Sequence, residues 1–234
     1  MHTRFTCRNL FLNPLFLFLF ICVLPPSEVL GQGKFLDGYI ISLAGDTLNG
    51  FIKYRDLDKN PVVVDYSVNK NGSLSQKLNH EKVREFYISE LQLRYKSRTI
   101  GIIDIKLDDE YSSLPSIQAK DSLIVYLKEV TAGPKATLFV LSKDSGKPHY
   151  FLEKDKILTE LINYPYYRTV NGAKYLAVYD EYKNQLPILT SESEVSKRPV
   201  PSYNLKSLIN YVDDYNASFG GQKIALSQIP DPGY

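Results

Sequence analysis

Asp144, Ser145 and Gly146, followed by Pro148, form a short motif that could carry a serine nucleophile. His80 and Asp104 precede it in the chain order His, Asp, Ser used by one class of serine hydrolase. That chemistry needs a base within hydrogen-bond reach of the serine and an oxyanion hole. The interval from His80 to Ser145 is too short for the two barrels that carry such a triad, and Asp-Ser-Gly between two strands is ordinary turn chemistry. A hairpin turn is therefore expected at 143–146. His80 and His149 are the two histidines left once residues 1–31 are set aside, and they share no H-x-H or H-x-x-x-H spacing. A hydrolytic zinc site is not expected. Asp108, Asp109 and Glu110 form an acidic cluster, but calcium takes six or more oxygens from an alternating ligand pattern, and a solvated charge run fits better.

Two further chemistries rest on spatial arrangement. Paired carboxylates could hydrolyse glycosides if the fold brings them to the right separation. Tyr54, Tyr66, Tyr87, Tyr95, Tyr126 and Tyr150 recur along apparent strands. Tyrosine has an apolar face and a polar tip, suited to sugars, peptides or protein surfaces, yet aromatics in strands more often pack the core. No catalytic, cofactor-binding or metal-binding residue is assigned from the sequence, and no cofactor is expected.

The elements that position these residues follow an export signal. His2, Arg4 and Arg8 precede an apolar run at 15–24; Pro25-Pro26 and a short polar stretch follow, and Val29 and Gly31 suit a cut between Gly31 and Gln32. Residues 1–31 are thus expected to be a cleaved signal peptide. Both cysteines, Cys7 and Cys22, lie inside it, so disulfides and cysteine chemistry are not expected downstream. Roughly 200 remaining residues can bury an adequate core without such staples. Setting aside Arg4, Arg8 and Glu28 leaves 26 basic and 25 acidic residues. That balance argues against a nucleic-acid binder. No transmembrane segment is expected after cleavage.

Alternation marks strands. Tyr39, Ile41 and Leu43, then Leu48, Gly50, Ile52 and Tyr54, flank an Ala44-Gly45-Asp46 turn, predicting a hairpin. Further strands are expected at 62–68, ending in a turn at 69–72, and at 83–88, 91–95, 99–107, 122–130, 136–141 and 148–153. Residues 108–121 read as a polar loop. After Asp155 the apolar spacing becomes helical, and three helices are expected. The first carries Ile157, Leu158, Leu161 and Ile162 and stops before Pro165; the second spans 173–183. The third carries Leu205, Leu208, Ile209 and Val212, capped by Ser202 and followed by Gly220-Gly221. Residues 187–201 read as a linker. The fold class is α+β: a predominantly antiparallel β-sheet, as a sandwich or open barrel, followed by about three C-terminal helices. The expected divisions are 1–31 signal, 32–154 β-rich domain, 155–219 helical region and 220–234 tail.

Gly38-Tyr39-Ile40-Ile41, then Gly45-Asp46-Thr47-Leu48-Asn49-Gly50-Phe51-Ile52, resembles the opening of a family of exported Bacteroidota cell-envelope proteins whose activity is uncharacterised. That family opens with G-Y-[IV]-[IV]-x(3)-G-D-T-[IL]-x-G-x-[IV]. A strand pair around 136–152, a helix after Asp155 and a late helix ending in a Tyr-Asn pair, here Tyr215-Asn216, are similar as well. The resemblance implies the bacterial envelope, in the periplasm or at the cell surface, and carries no site residues. In such bacteria an Asp-[Ser/Thr]-apolar tripeptide can be O-glycosylated, which points to Thr47 and Ser122.

The function expected is that of an exported, non-catalytic binding or accessory protein whose partner is an envelope protein or an extracellular polymer. An exported hydrolase using paired carboxylates is the alternative, and a structural accessory of an outer-membrane complex is a third reading.

Overall fold

The opening hairpin forms as its alternation requires. In the computed structural model, which describes residues 33–54, 59–103, 110–111, 119, 121–142 and 147–223, β1 (Lys34–Ser42) and β2 (Thr47–Tyr54) pair antiparallel, with Gly38 opposite Gly50. The signal peptide with its Gly31–Gln32 junction, the 143–146 turn and most of the 108–121 loop lie outside the described residues. Gly45 occupies the turn at φ +101°, backbone that favours glycine. The two strand glycines answer a different need. A Cβ on Gly38 would lie 2.1 Å from the Tyr87 carbonyl oxygen, and one on Gly50 2.6 Å from the Ser67 carbonyl oxygen. All three glycines of the motif are therefore structural.

Ten strands form one antiparallel sheet in the order β11-β10-β9-β8-β6-β5-β1-β2-β3-β4. Besides β1 and β2 these are β3 (Val64–Ser67), β4 (Gln76–Leu78), β5 (Val83–Ile88), β6 (Leu93–Ile102), β8 (Asp121–Ala132), β9 (Ala136–Leu141), β10 (His149–Lys154) and β11 (Ile157–Leu161). The two strands expected at 91–95 and 99–107 are one, β6, which ends at Ile102, with 104–107 outside the described residues; β4 was not anticipated.

The β4–β5 link shapes this half of the molecule. Four strand spacings separate β4 from β5 in the sheet order, about 19 Å if the sheet were flat. The chain from Leu78 to Val83 reaches at most about 18 Å fully extended. It is instead a tight turn, with the Lys82 and Val83 N–H groups both donating to the Asn79 carbonyl at 3.0 Å. The sheet must curl until β4 returns to β5, giving a half-barrel. Its interior gathers Leu36, Ile40, Ile52, Val64, Leu78, Val83 and Phe86 into one core with Tyr66, Tyr95 and Tyr126.

Strands β9 and β10 are buried on both faces, which explains why β9 reads ATLFVL without polar alternation. Leu138, Val140, Tyr150, Leu152 and Leu161 face the helices, while Phe139, Leu141 and Phe151 pack on the opposite side with Ile100 and Leu127.

Two of the three expected helices are not helices at those positions. Residues 157–161 form β11, which pairs with β10 through an Asp155-Lys156 turn in which both residues have positive φ, 49° and 67°. Residues 164–179 form a second hairpin, β12 (Tyr164–Val170) and β13 (Ala173–Tyr179), turning at Asn171-Gly172 with φ 52° and 76°. Two-residue turns with positive φ at both positions match the twist of paired strands, and Asn-Gly is their strongest sequence signal. With β7 (Glu110–Tyr111), parallel to β12, this hairpin makes a three-stranded sheet.

Among the described residues the helices number two, α1 (Tyr182–Leu189) and α2 (Leu205–Ala217). The third expected helix is α2, but Asn204 rather than Ser202 caps it, its side-chain oxygen accepting from the Ser207 N–H at 2.9 Å. Leu208, Ile209 and Val212 are fully buried against β9 and β10, as their spacing required. The expected linker at 187–201 contains the end of α1 and a 3-10 turn, Glu194–Lys197, and buries Thr190, Ser193 and Val195. The Gln185 side chain of α1 lies along β11, donating to the Glu160 carbonyl and accepting from the Ile162 N–H, both at 2.9 Å.

Candidate functional site

The curl leaves the half-barrel open at one end, and there a cavity of about 300 Å³ is found. Its floor is the core itself: Ile52, Phe86, Ile88 and Tyr95. Phe86 and Tyr95 stack at 4.8 Å between ring centres. Burial, and then the neighbouring Tyr54, push the Tyr95 hydroxyl pKa upward, so it stays neutral. One wall is Pro61, Val62 and Val63, the two valines 78% and 43% exposed although apolar. Lys53, Lys59, Lys77 and Asp65 complete the lining with Tyr54, and Asp65 stands directly opposite Lys77 in the β3–β4 register. The Lys53 ammonium also lies 5.9 Å from the Phe35 ring centre.

Asn60 holds the apolar wall in place. Its side-chain amide donates to the Tyr126 carbonyl at 2.7 Å and the Val140 carbonyl at 2.9 Å, and its oxygen accepts from the Ser142 N–H at 2.9 Å. One asparagine thereby ties the segment before β3 to β8, β9 and the residue after β9. The cavity is at the lower end of the size range of small-molecule sites and combines an apolar floor with a few charged groups.

A second cluster sits at the start of β10. Glu160 Oε1 lies 2.8 Å from His149 Nδ1 and accepts from the Tyr164 hydroxyl at 2.6 Å. Burial, and then the hydrogen bond to Glu160, raise the Tyr164 hydroxyl pKa. The adjoining cavity, lined by Ile100, Leu123, Leu141 and Phe151, is about 30 Å³, room for a water rather than a substrate. His149 is therefore a partnered residue, held by Glu160.

The other sequence candidates do not converge. His80 lies in the β4–β5 turn, far in strand order from His149 at the start of β10, while Asp104 and Ser145 fall outside the described residues. Asp108 and Asp109 also fall outside them. Among the described residues no group of three or more His, Cys, Asp or Glu could hold a metal. Four of the six strand tyrosines, Tyr66, Tyr95, Tyr126 and Tyr150, are buried at 7% exposure or less, so they belong to the core. Tyr54 lines the cavity, and Tyr87 lies under the Arg94 guanidinium, 5.2 Å from its ring centre. Thr47 and Ser122 are both exposed, at the starts of β2 and β8 rather than in loops.

Sequence reasoning missed the three lysines, Asn60, Glu160 and Tyr164. Glu160 and Tyr164 were hidden by the helical reading of their segment. The lysines come from β2, β4 and the segment before β3, and no spacing along the chain links them.

Comparison with known proteins gives no match, whether to protein-family models, curated proteins or solved structures. No helix among the described residues is long and apolar enough to cross a membrane.

Proposed function

We propose that this chain is an exported, non-catalytic binding or accessory protein of the cell envelope, and that the half-barrel mouth is its ligand site. The observation that carries the reading is the cavity itself: about 300 Å³, apolar at the floor, with Asp65 as the one carboxylate among its described lining residues. Hydrolysis by paired carboxylates calls for two acids facing one substrate. Export is supported by the composition of residues 1–31 and by the resemblance of the opening motif to envelope proteins. The decisive experiment is native mass spectrometry of the protein taken from its own envelope, beside a Val63→Trp variant that fills the mouth. A bound small molecule present in the parent and lost in the variant supports the reading; identical spectra without adduct reject it. The same spectra show whether hexose is attached, as proposed for Thr47 and Ser122.

A second reading, a structural accessory of an outer-membrane complex, is favoured by the β12–β13 hairpin. Tyr175, Leu176 and Val178 are 57%, 63% and 47% exposed on one edge strand. Loss of a co-purifying complex on Leu176→Lys, with the cavity variant unaffected, would select that reading.

A further inference from the structure

We infer that β13 is an interface: its open edge pairs antiparallel with β13 of a second copy of this chain, Leu176 facing Leu176, so that two three-stranded sheets join into one. This pairing is independent of the ligand reading of the half-barrel and gives the exposed hairpin a defined occupant.

Two properties of the strand narrow what can cover it. Tyr175 and Leu176 are neighbours in β13 and so point to opposite faces of the sheet, yet both are more than half exposed. A partner laid on one face would leave the other bare. β13 is also the end strand of its sheet, in unbroken register with β12 from Ala173 to Tyr179. Residues flanking a two-residue hairpin turn exchange their backbone hydrogen bonds, and the bonding direction alternates from there. Ala173, Tyr175, Ala177 and Tyr179 therefore turn theirs toward β12, while Leu176 and Val178 turn theirs outward. Among the described residues nothing pairs with those outward groups. A bilayer would cover the side chains but leave the N–H and carbonyl groups unsatisfied. An added strand covers both faces and satisfies the backbone as well.

The spacing of large and small residues selects a second copy. One face of β13 reads Ala173, Tyr175, Ala177, Tyr179, small and large in turn. Reversing the strand about Leu176 sets each tyrosine opposite an alanine: Tyr175 faces Ala177, and Tyr179 faces Ala173. Moving the centre by one residue either way sets tyrosine against tyrosine and alanine against alanine. On the other face Leu176 meets Leu176. Lys174, whose ammonium is engaged 4.4 Å from the Tyr167 ring centre, falls opposite Val178, so no like charges meet. Seven residues a side is well short of the roughly 20 to 30 of a standard interface, so association is expected in the micromolar range.

The test is sedimentation velocity of the protein exported by cells expressing the full chain, run from about 1 to about 200 μM. A monomer–dimer equilibrium is expected. Leu176→Lys and Leu176→Glu each set like charges face to face and should weaken self-association about tenfold. The position is exposed, so both variants should melt with the parent. An equimolar mixture of the two variants should dimerise again, because lysine then faces glutamate. A parent that stays monomeric throughout overturns the second copy. A parent dimer that both variants retain, or a mixture that stays monomeric, overturns the Leu176 pairing. None of these outcomes bears on the half-barrel cavity, which stands or falls on its bound small molecule.

Discussion

Asn216, near the end of α2, holds Ala136, the first residue of β9, through both of that residue's backbone groups. Its amide donates to the Ala136 carbonyl at 2.9 Å, and its oxygen accepts from the Ala136 N–H at 2.9 Å and the Lys135 N–H at 3.2 Å. Gly133 makes room for this contact, since a Cβ there would lie 2.3 Å from the Asn216 side chain. Asn216→Ala strands buried backbone groups and should cost about 2–3 kcal/mol. Denaturant unfolding reads this directly, and Gly133→Ala should destabilise in the same direction. A silent Asn216→Ala would mean water replaces the amide without loss.

Leu208 and Asn210 sit two residues apart on α2, the first fully buried and the second exposed. Leu208→Ala should cost about 2–5 kcal/mol, combining lost burial with a residual cavity. Asn210→Ala should leave the unfolding midpoint almost unchanged. Equal small effects at the two positions would show that α2 contributes little to the core.

Gly45 isolates backbone strain from packing. At φ +101° a Cβ would meet nothing nearer than an Arg84 guanidinium nitrogen at 4.0 Å. Gly45→Val should nonetheless destabilise by about 1–2 kcal/mol, because a β-branched residue resists that conformation. A melting temperature equal to the parent's would place the strain elsewhere in the turn.

Acid should weaken the helical half through Glu192. Its carboxyl is lowered from an ordinary value of 4.5 to about 2, first by the hydrogen bond from Lys154, then by that from Tyr215. Those bonds are 2.6 Å each and join β10 to α2. A carboxyl depressed by folding contributes stability that is complete above its unfolded value. That contribution drains away as pH falls from about 4.5 through about 2. Glu192→Gln should flatten that part of the stability–pH profile, as equilibrium unfolding at several pH values would show. An unchanged acid limb would assign the loss to other carboxylates, such as Asp214, which Lys223 and Arg198 also hold low.

The sequence revealed the β-rich fold where local signals agreed with tertiary ones. Gly45-Asp46 punctuates clean alternation, and Leu205, Leu208, Ile209 and Val212 repeat at helical spacing. It misled where apolar residues in strands happened to fall at helical spacing. Ile157, Leu158, Leu161 and Ile162 satisfy a helical template by their spacing alone, since in β11 Leu161 is buried while Ile157 is 68% exposed. Tyr175, Leu176 and Tyr179 fit one as well, yet the turns at Asp155-Lys156 and Asn171-Gly172 decide for hairpins. Asn171-Gly172 was a legible signal, outweighed by the aromatic stripe. The cavity was not legible, because its lining comes from separate strands brought together by the tight β4–β5 turn. Tyr215-Asn216, noticed as a motif, proves to be two clasps, one onto Glu192 and one onto Ala136.

The Gln185 side chain along β11 has a consequence beyond packing. An end strand of a wide sheet is a template on which a foreign chain can nucleate, and from there a fibre can grow. Here the Glu160 carbonyl and the Ile162 N–H, the groups such a chain would seize, are already occupied by one carboxamide. Gln185 thus closes these two edge groups to a foreign strand. A methionine in its place would preserve the volume beside α1 and leave the ten-stranded sheet able to recruit an eleventh strand from a neighbour.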